Sequence, residues 1–441
     1  KYKKMADNGE IENFRIVNAK DLWKKILTAL YETGHPWITF KDAANIRYSN
    51  KHEGVVHSSN LCTEIFLHTK PTKHDEGEVI EIGETAVCNL ASINLASHLK
   101  VRTIDWKKLQ QTVETAIRGL DNVINLNFYP TKEAEKSNLA HRPIGLGIMG
   151  THDILHRLGI PYNSKDAVVI CGKIQEFISL HAIKTSALLA KEKGKYPSFK
   201  GSEWDSGNFP IDTYCDLMNQ REKLSPENVY KREDFESFEE WEEVRLLVSE
   251  HGMRNSNVMA IAPTATISYI QGCSQSVEPD YSVLYVYSTL SGEFTMVNEH
   301  FVAAAKKKGI WCQELIDALK SADGDVMLLD LDEDIQREFK TAFDINYDIL
   351  IEAAAERQKW IDMGQSLNLY NKLESLKYLN DLYFKAWESG LKSTYYLRGK
   401  SATRLEKSTV ESPKEESFVP EEDLSKVTAC SITDPDCESC Q

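Results

Sequence analysis

A mainly parallel α/β sheet or barrel is the fold class predicted for this chain of 441 residues, on three observations. Long segments with apolar residues at helical spacing dominate the chain. Short β-rich apolar runs fall between them. No internal repeat recurs at a fixed period. The first helix is expected over residues 21–32, where Leu22, Trp23, Ile26, Leu27 and Leu30 share a face and Gly34 and Pro36 supply the stop. The same periodicity predicts helices over 105–127, 166–195, 241–252, 344–364 and 374–390, whereas 257–262 and 282–287 have the character of buried strands. Beyond Arg398 the chain turns to Ser, Lys, Glu, Asp and Pro, so the organisation expected is an ordered region, 1–400, and a disordered tail, 401–441. That tail nevertheless carries Cys430, Cys437 and Cys440.

Composition narrows the function. Lys and Arg number 52 against 67 Asp and Glu, a formal charge of -15, which disfavours a nucleic-acid partner. Hydrophobic residues make up 41%, and no apolar run approaches the roughly 20 residues of a membrane span, so no membrane association is expected. Nine cysteines are few for this length and odd in number, so reduced thiols and a cytoplasmic location are expected. Lys1-Tyr2-Lys3-Lys4-Met5 is basic but lacks the apolar core of a signal peptide, and the missing initiator Met suggests a trimmed chain or one piece of something longer.

Several segments carry chemistry-bearing residues. In Asn60-Leu61-Cys62-Thr63-Glu64 an extended backbone would put an amide, a thiol and a carboxylate on one face; a buried structural cysteine beside a solvated Glu fits the pentapeptide equally well. Cys88, in Ala86-Val87-Cys88-Asn89-Leu90, reads alone as a core cysteine. Thr264-Ala265-Thr266-Ile267-Ser268 follows an apolar strand and Pro263, a pattern that can present hydroxyls and backbone N–H groups to a phosphate at a helix N-terminus or serve as an ordinary cap. Gly145-Leu146-Gly147-Ile148-Met149-Gly150 spells a dinucleotide-binding motif, but the residues before it are too short and polar for a buried strand, and close packing at a tight turn explains the glycines. The neighbours Tyr395 and Tyr396 would point to opposite faces of a regular strand, so stacking them requires a bend. Cys437-Glu438-Ser439-Cys440, with Cys430, offers three ligands where structural zinc needs four, so no metal site is expected and a redox dithiol is the better reading.

Taken in order, Asn60-Leu61-Cys62-Thr63-Glu64-Ile65, Ala86-Val87-Cys88-Asn89-Leu90-Ala91-Ser92, Arg142-Pro143-Ile144-Gly145-Leu146-Gly147, Pro263-Thr264-Ala265-Thr266, Ser276-Val277-Glu278-Pro279, Tyr395-Tyr396 and the terminal C-x-x-C resemble the catalytic large subunit of class I ribonucleoside-diphosphate reductases. The resemblance implies the C-terminal part of a ten-stranded α/β barrel with a central finger loop, followed by a helical region and a redox tail. It implies reduction of ribonucleoside diphosphates by thiyl-radical chemistry. Cys62 would carry the radical and Glu64 would accept the 3′-hydroxyl proton. Asn60 would hydrogen-bond the hydroxyls, and Cys88 would be one of two reducing thiols. Residues 264–268 would hold the diphosphate, Ala265 and Ile267 through backbone only. Tyr395 and Tyr396 would relay the radical from a metal-containing small subunit, so no cofactor is expected on this chain itself. Cys437 and Cys440 would re-reduce the active-site disulfide and be reset by thioredoxin or glutaredoxin, across a flexible reach of roughly 30–36 Å.

Only the second half of the barrel, the loop and the C-terminal region are expected here, and no cysteine precedes Cys62 to pair with Cys88. An open half-barrel exposes sheet edges, so a separate N-terminal part of the large subunit is an expected partner, with truncation as the rival explanation. The tyrosine pair separates this reading from a cobalamin-dependent reductase, which needs no such relay. Intact Asn60, Cys62 and Glu64 argue against a non-catalytic nucleotide-binding scaffold.

Overall fold

The computed structural model describes residues 2–221, 238–289, 292–371 and 375–399. Its helices follow the predicted periodicity. The first begins where Asn18 accepts hydrogen bonds from the backbone N–H groups of Lys20 and Asp21, runs over Ala19–Thr33, and ends at Gly34 in the left-handed conformation. Leu27 and Leu30 are buried in it, and the Trp23 indole N–H donates to Asn380 on the late helix Leu376–Glu388. Trp106–Leu126, Lys165–Lys193, Phe238–His251 and Tyr347–Gln358 occupy the other predicted spans, shifted by a few residues at their ends.

At the centre are parallel extended segments. Asn89–Asn94 pairs with Ile144–Met149 in register from Asn89 with Ile144 to Asn94 with Met149. Leu146 in turn bridges Met259, and Ile261 bridges Gln365, both parallel. Helices cross over between these tracks, as a parallel sheet requires. Among the described residues the tracks form an open arc, and no strand pairing closes them into a barrel. Leu109, Val113 and Ile117 of one crossover helix and Ile174 and Ile178 of another are buried against the sheet, and Trp241 stacks on Trp360 with the rings 4° from parallel.

Two expectations are corrected. The glycines of 145–150 do not mark a tight turn after a polar lead-in, because Ile144–Met149 is itself a fully buried strand and only Gly150 turns, at φ 77°. With partner segments on both sides, the strand needs small residues where the backbones approach. A Cβ on Gly147 would sit 2.5 Å from the carbonyl oxygen of Ala260. The segment 282–287 is not a buried strand of the parallel sheet either. Leu284–Thr289 pairs antiparallel with Gly292–Val297, an exposed strand, and so belongs to a hairpin.

The Gly147 contact yields a test. Gly147→Ala is expected to cost about 1–3 kcal/mol by overpacking, read as a lower urea midpoint at unchanged slope. A wild-type midpoint would show that the neighbouring strand yields without cost.

Candidate active site

Residues 60–64 fold as a tight turn rather than the extended segment expected. The Thr63 N–H donates to the Asn60 carbonyl at 3.1 Å, with Thr63 at φ 64°. Asn60 Oδ1 accepts from the N–H groups of Glu64 and Ile65 at 3.1 and 3.0 Å, so local polar bonding outcompetes the strand. Leu61 is thrown out to solvent, 72% exposed, while Thr63 and Glu64 are buried. The Asn60 side chain also hydrogen-bonds the Glu64 carboxyl, a contact only its amide nitrogen can donate.

Distant segments clamp this turn. The Gly364 N–H donates to the Glu64 carbonyl, the Ser393 hydroxyl to the Thr63 carbonyl, and the Thr63 hydroxyl to the Thr394 carbonyl. Ser366 Oγ lies 2.5 Å from the Cys62 carbonyl oxygen and 3.1 Å from Glu64 Oε2, and its one O–H serves a single acceptor at a time. Burial pushes the Glu64 carboxyl above the usual carboxylate range, against the hydrogen bonds from Asn60 and Ser366. Sequence reasoning missed Ser366. It sits 304 positions from Cys62 and belongs to no motif, so only the fold reveals it.

The tyrosines stand at this turn. The Tyr395 N–H donates to the Leu367 carbonyl and the Leu369 N–H to the Tyr396 carbonyl, which fixes the backbone of the pair. The Tyr395 hydroxyl lies 3.4 Å from Cys62 Sγ, and the two phenol rings are 4.1 Å apart, tilted by 47°. Adjacent rings therefore touch, though not in a parallel stack. Burial raises the Tyr395 phenol, and its hydrogen bonds to Cys62 and Tyr396 raise it further. Burial also raises the Cys62 thiol, with the charge of Glu64 adding to it and the Tyr395 hydrogen bond opposing. Both groups therefore hold their hydrogens at neutral pH.

Cys88 precedes the strand Asn89–Asn94 and packs on a cluster that includes Tyr48, Phe66, Ala260 and Met363. Burial pushes its thiol well up, and the charges of Asp362 and Glu64 add to this. Residues 264–268 form the expected turn into a short helix, Ile267–Gln271. Thr264 sits at φ 58°, and its hydroxyl is turned inward, accepting from the Ser276 N–H at 2.8 Å. Ser268 is fully buried, whereas Ala265, Thr266 and Ile267 are exposed and their N–H groups have no backbone acceptor among the described residues. The predicted redox pair Cys437 and Cys440 lies outside the described residues.

With this geometry in view, comparisons with known proteins identify its setting. A family model described as the ribonucleotide reductase barrel domain matches residues 1–397. This chain belongs to that family. It is 48% identical to the ribonucleoside-diphosphate reductase subunit alpha of Chlamydia trachomatis, over 100% of this chain and 42% of that protein. It is 38% identical to the subunit alpha of Helicobacter pylori, over 90% and 51% of the two chains. Against the large subunit of Arabidopsis thaliana the identity is 33%, over 97% and 53%. The chain thus spans two fifths to about half the length of the curated relatives it matches.

Elsewhere in this ribonucleotide reductase domain, two side-chain groups have metal-like spacing among the described residues: Glu53, His68 and His141, and His152, His156 and Asp280. Most of their ligand atoms are committed to hydrogen bonds. The Nε2 atoms of His68 and His141 both face Glu84 Oε2, at 2.9 and 2.8 Å, and His152 Nδ1 accepts from the Asp280 N–H. They read as buried polar networks. The motif residue Glu278 accepts from the Tyr370 hydroxyl at 2.7 Å and the Asn368 N–H at 3.2 Å, bracing the segment that leads from Ser366 toward the tyrosines. Burial pushes its carboxyl up to about 7, against those hydrogen bonds.

A raised carboxyl holds its proton longer in the folded state than in the unfolded one, so its contribution to stability falls as pH rises through that interval. Wild-type stability is expected to carry such a loss between the ordinary value of 4.5 and about 7. Urea titrations of Glu278→Gln across that window should show a flatter pH slope than wild type. Identical slopes would mean that Glu278 titrates normally.

Proposed function

We propose that this chain is the catalytic-barrel portion of a class I ribonucleoside-diphosphate reductase, with Cys62 as the hydrogen-abstracting group. The observation that carries this reading is the contact between the Tyr395 hydroxyl and Cys62 Sγ, at 3.4 Å, beside the buried Glu64. A phenoxyl radical at Tyr395 takes the hydrogen atom of the Cys62 S–H. The phenol O–H is restored and a thiyl radical remains, with no net charge created in a buried place. The radical equivalent originates on a metal-containing small subunit and reaches Tyr395 through Tyr396.

The thiyl radical removes the hydrogen from C3′ of the ribose. Glu64 takes the 3′-hydroxyl proton, a task suited to a carboxylate whose basicity burial has increased. Asn60 offers its amide N–H to the sugar hydroxyls. The C2′ hydroxyl leaves as water while Cys88 and a second thiol supply two electrons and two protons and close a disulfide. Glu64 gives the proton back to the 3′ oxygen, and Cys62 returns its hydrogen to C3′ and regenerates the radical. The exposed N–H groups of 265–267 and the Thr266 hydroxyl face the diphosphate.

Cys437 and Cys440 would reopen the disulfide, with thioredoxin or glutaredoxin as the onward reductant. The remaining part of the large subunit would complete a ten-stranded barrel over the open arc. A cytoplasmic setting is part of this reading, and the six cysteines of the described residues are all free thiols. No described helix is long and apolar enough to cross a membrane.

The decisive assay is CDP reduction by this chain combined with the rest of the large subunit and a small subunit. Cys62→Ser and Tyr396→Phe should each lower turnover by about a thousandfold or more. Activity surviving in Cys62→Ser would remove the thiyl assignment, and full activity in Tyr396→Phe would remove the tyrosine relay.

A further inference from the structure

Trp37 is a third ring at the tyrosine pair. Its centroid lies 4.8 Å from that of Tyr395 and 5.1 Å from that of Tyr396, tilted 58° from the first ring and 85° from the second. Since the phenols are themselves 4.1 Å apart, the three rings touch in a closed triangle. The register is imposed from the backbone. Phe40 N–H donates to the Lys392 carbonyl, Thr394 N–H donates to the Ile38 carbonyl, and Thr39 bridges Ser393 antiparallel. This ladder ends at the two segments that carry the rings. The 392–394 strip is held on its other side by Thr63 of the turn, so Trp37, the tyrosines and Cys62 share one scaffold.

The indole has a second peculiarity. Its Nε1 is buried and finds no hydrogen-bond acceptor among the described residues. Indole and phenol are the two protein side chains most readily oxidised by one electron. A tyrosine that loses an electron passes its proton to a neighbour and becomes a neutral radical. Trp37 has no acceptor for the N–H proton, so its oxidation would leave a buried cation, which an apolar surrounding disfavours. The indole can therefore pack both phenols without competing for the radical.

Resting on the relay proposed above, we infer that Trp37 is the positioning residue of the radical path, holding Tyr395 and Tyr396 in contact while staying outside the path itself. The oxidation equivalent then moves between the two phenols and on to Cys62. The indole stays reduced and protonated throughout.

The test uses the complete reductase, with this chain, the rest of the large subunit and the small subunit assembled. Trp37→Ala removes the packing ring and is expected to lower kcat by about tenfold or more, because misplaced reacting groups lose rate steeply. The KM for CDP should stay at the wild-type value, since a ring that acts through the two phenols gives substrate binding nothing to lose. Trp37→Phe restores an aromatic ring without an indole and should recover most of kcat. Rapid-freeze electron paramagnetic resonance should show tyrosyl and no tryptophanyl signal in the wild type.

Three results would overturn the inference: wild-type kcat in Trp37→Ala, a Phe variant as impaired as Ala, or a tryptophanyl radical on the path. A variant that merely unfolds would lower CDP binding together with kcat, and the Phe variant separates that case. Tyr396→Phe, run alongside, separates the two ideas: full activity there removes the relay whatever Trp37 does, whereas an inactive Tyr396→Phe with a normal Trp37→Ala removes only the role of Trp37.

Discussion

The arrangement depends on holding one short turn still from two sides. Residues 60–64 have little secondary structure of their own, and Thr63 takes a left-handed conformation unfavourable for a β-branched residue. Such strain persists only where the surroundings over-determine it. Here the strand segment 364–366 grips the carbonyls of Glu64 and Cys62, and the 393–394 strip grips Thr63 through both its carbonyl and its hydroxyl. Gly364 belongs to the same constraint, since a Cβ there would lie 2.5 Å from the Phe66 ring. Because Tyr395 follows the strip directly, the clamp that shapes the turn also sets the distance from the phenol to the sulfur.

The electrostatics of the site point in one direction. Cys62, Cys88 and Tyr395 are all pushed toward their protonated forms, with burial as the largest cause each time. A nucleophilic cysteine requires the opposite, a depressed pKa supplied by a cation or a helix N-terminus. Neutral S–H and O–H groups in contact suit the movement of a hydrogen atom, which leaves no charge behind in a place that solvates charge poorly. Glu64 fits the same logic in a different role, because burial strengthens it as a base while Asn60 and Ser366 keep the ionised form tolerable.

Much of this was legible in the sequence, and what was not has a common cause. The helices were readable because their apolar spacing is a local property, as in residues 21–32. The glycines of Ile144–Met149 were misread because the approach of Ala260, more than a hundred positions away, decides whether glycine means a turn or a packed strand. The turn at 60–64 was read as extended because alternating polar residues carry the signature of a strand, while the competing bonds from Asn60 Oδ1 leave no trace in composition. Ser366 and Trp37 were invisible for the same reason: each is an ordinary residue made important by what another segment brings to it.

The turn at 264–268, in the role proposed for it, has few side-chain hydroxyls to offer an anion. Of its two threonines, Thr264 turns its hydroxyl inward to accept from Ser276, and that hydrogen bond fixes the turn against the next segment. Ser268 is buried as well, which leaves Thr266 as the exposed hydroxyl in the run. Ala265 and Ile267, with no polar side-chain atom to contribute, occupy positions where the exposed group that matters is the backbone N–H. An anion held there, as proposed, would be recognised mainly by main-chain dipoles, which every non-proline residue supplies alike. On that proposal the geometry of the turn, kept by Thr264 and Ser276, would carry the recognition, and the side chains at 265 and 267 would contribute little to it.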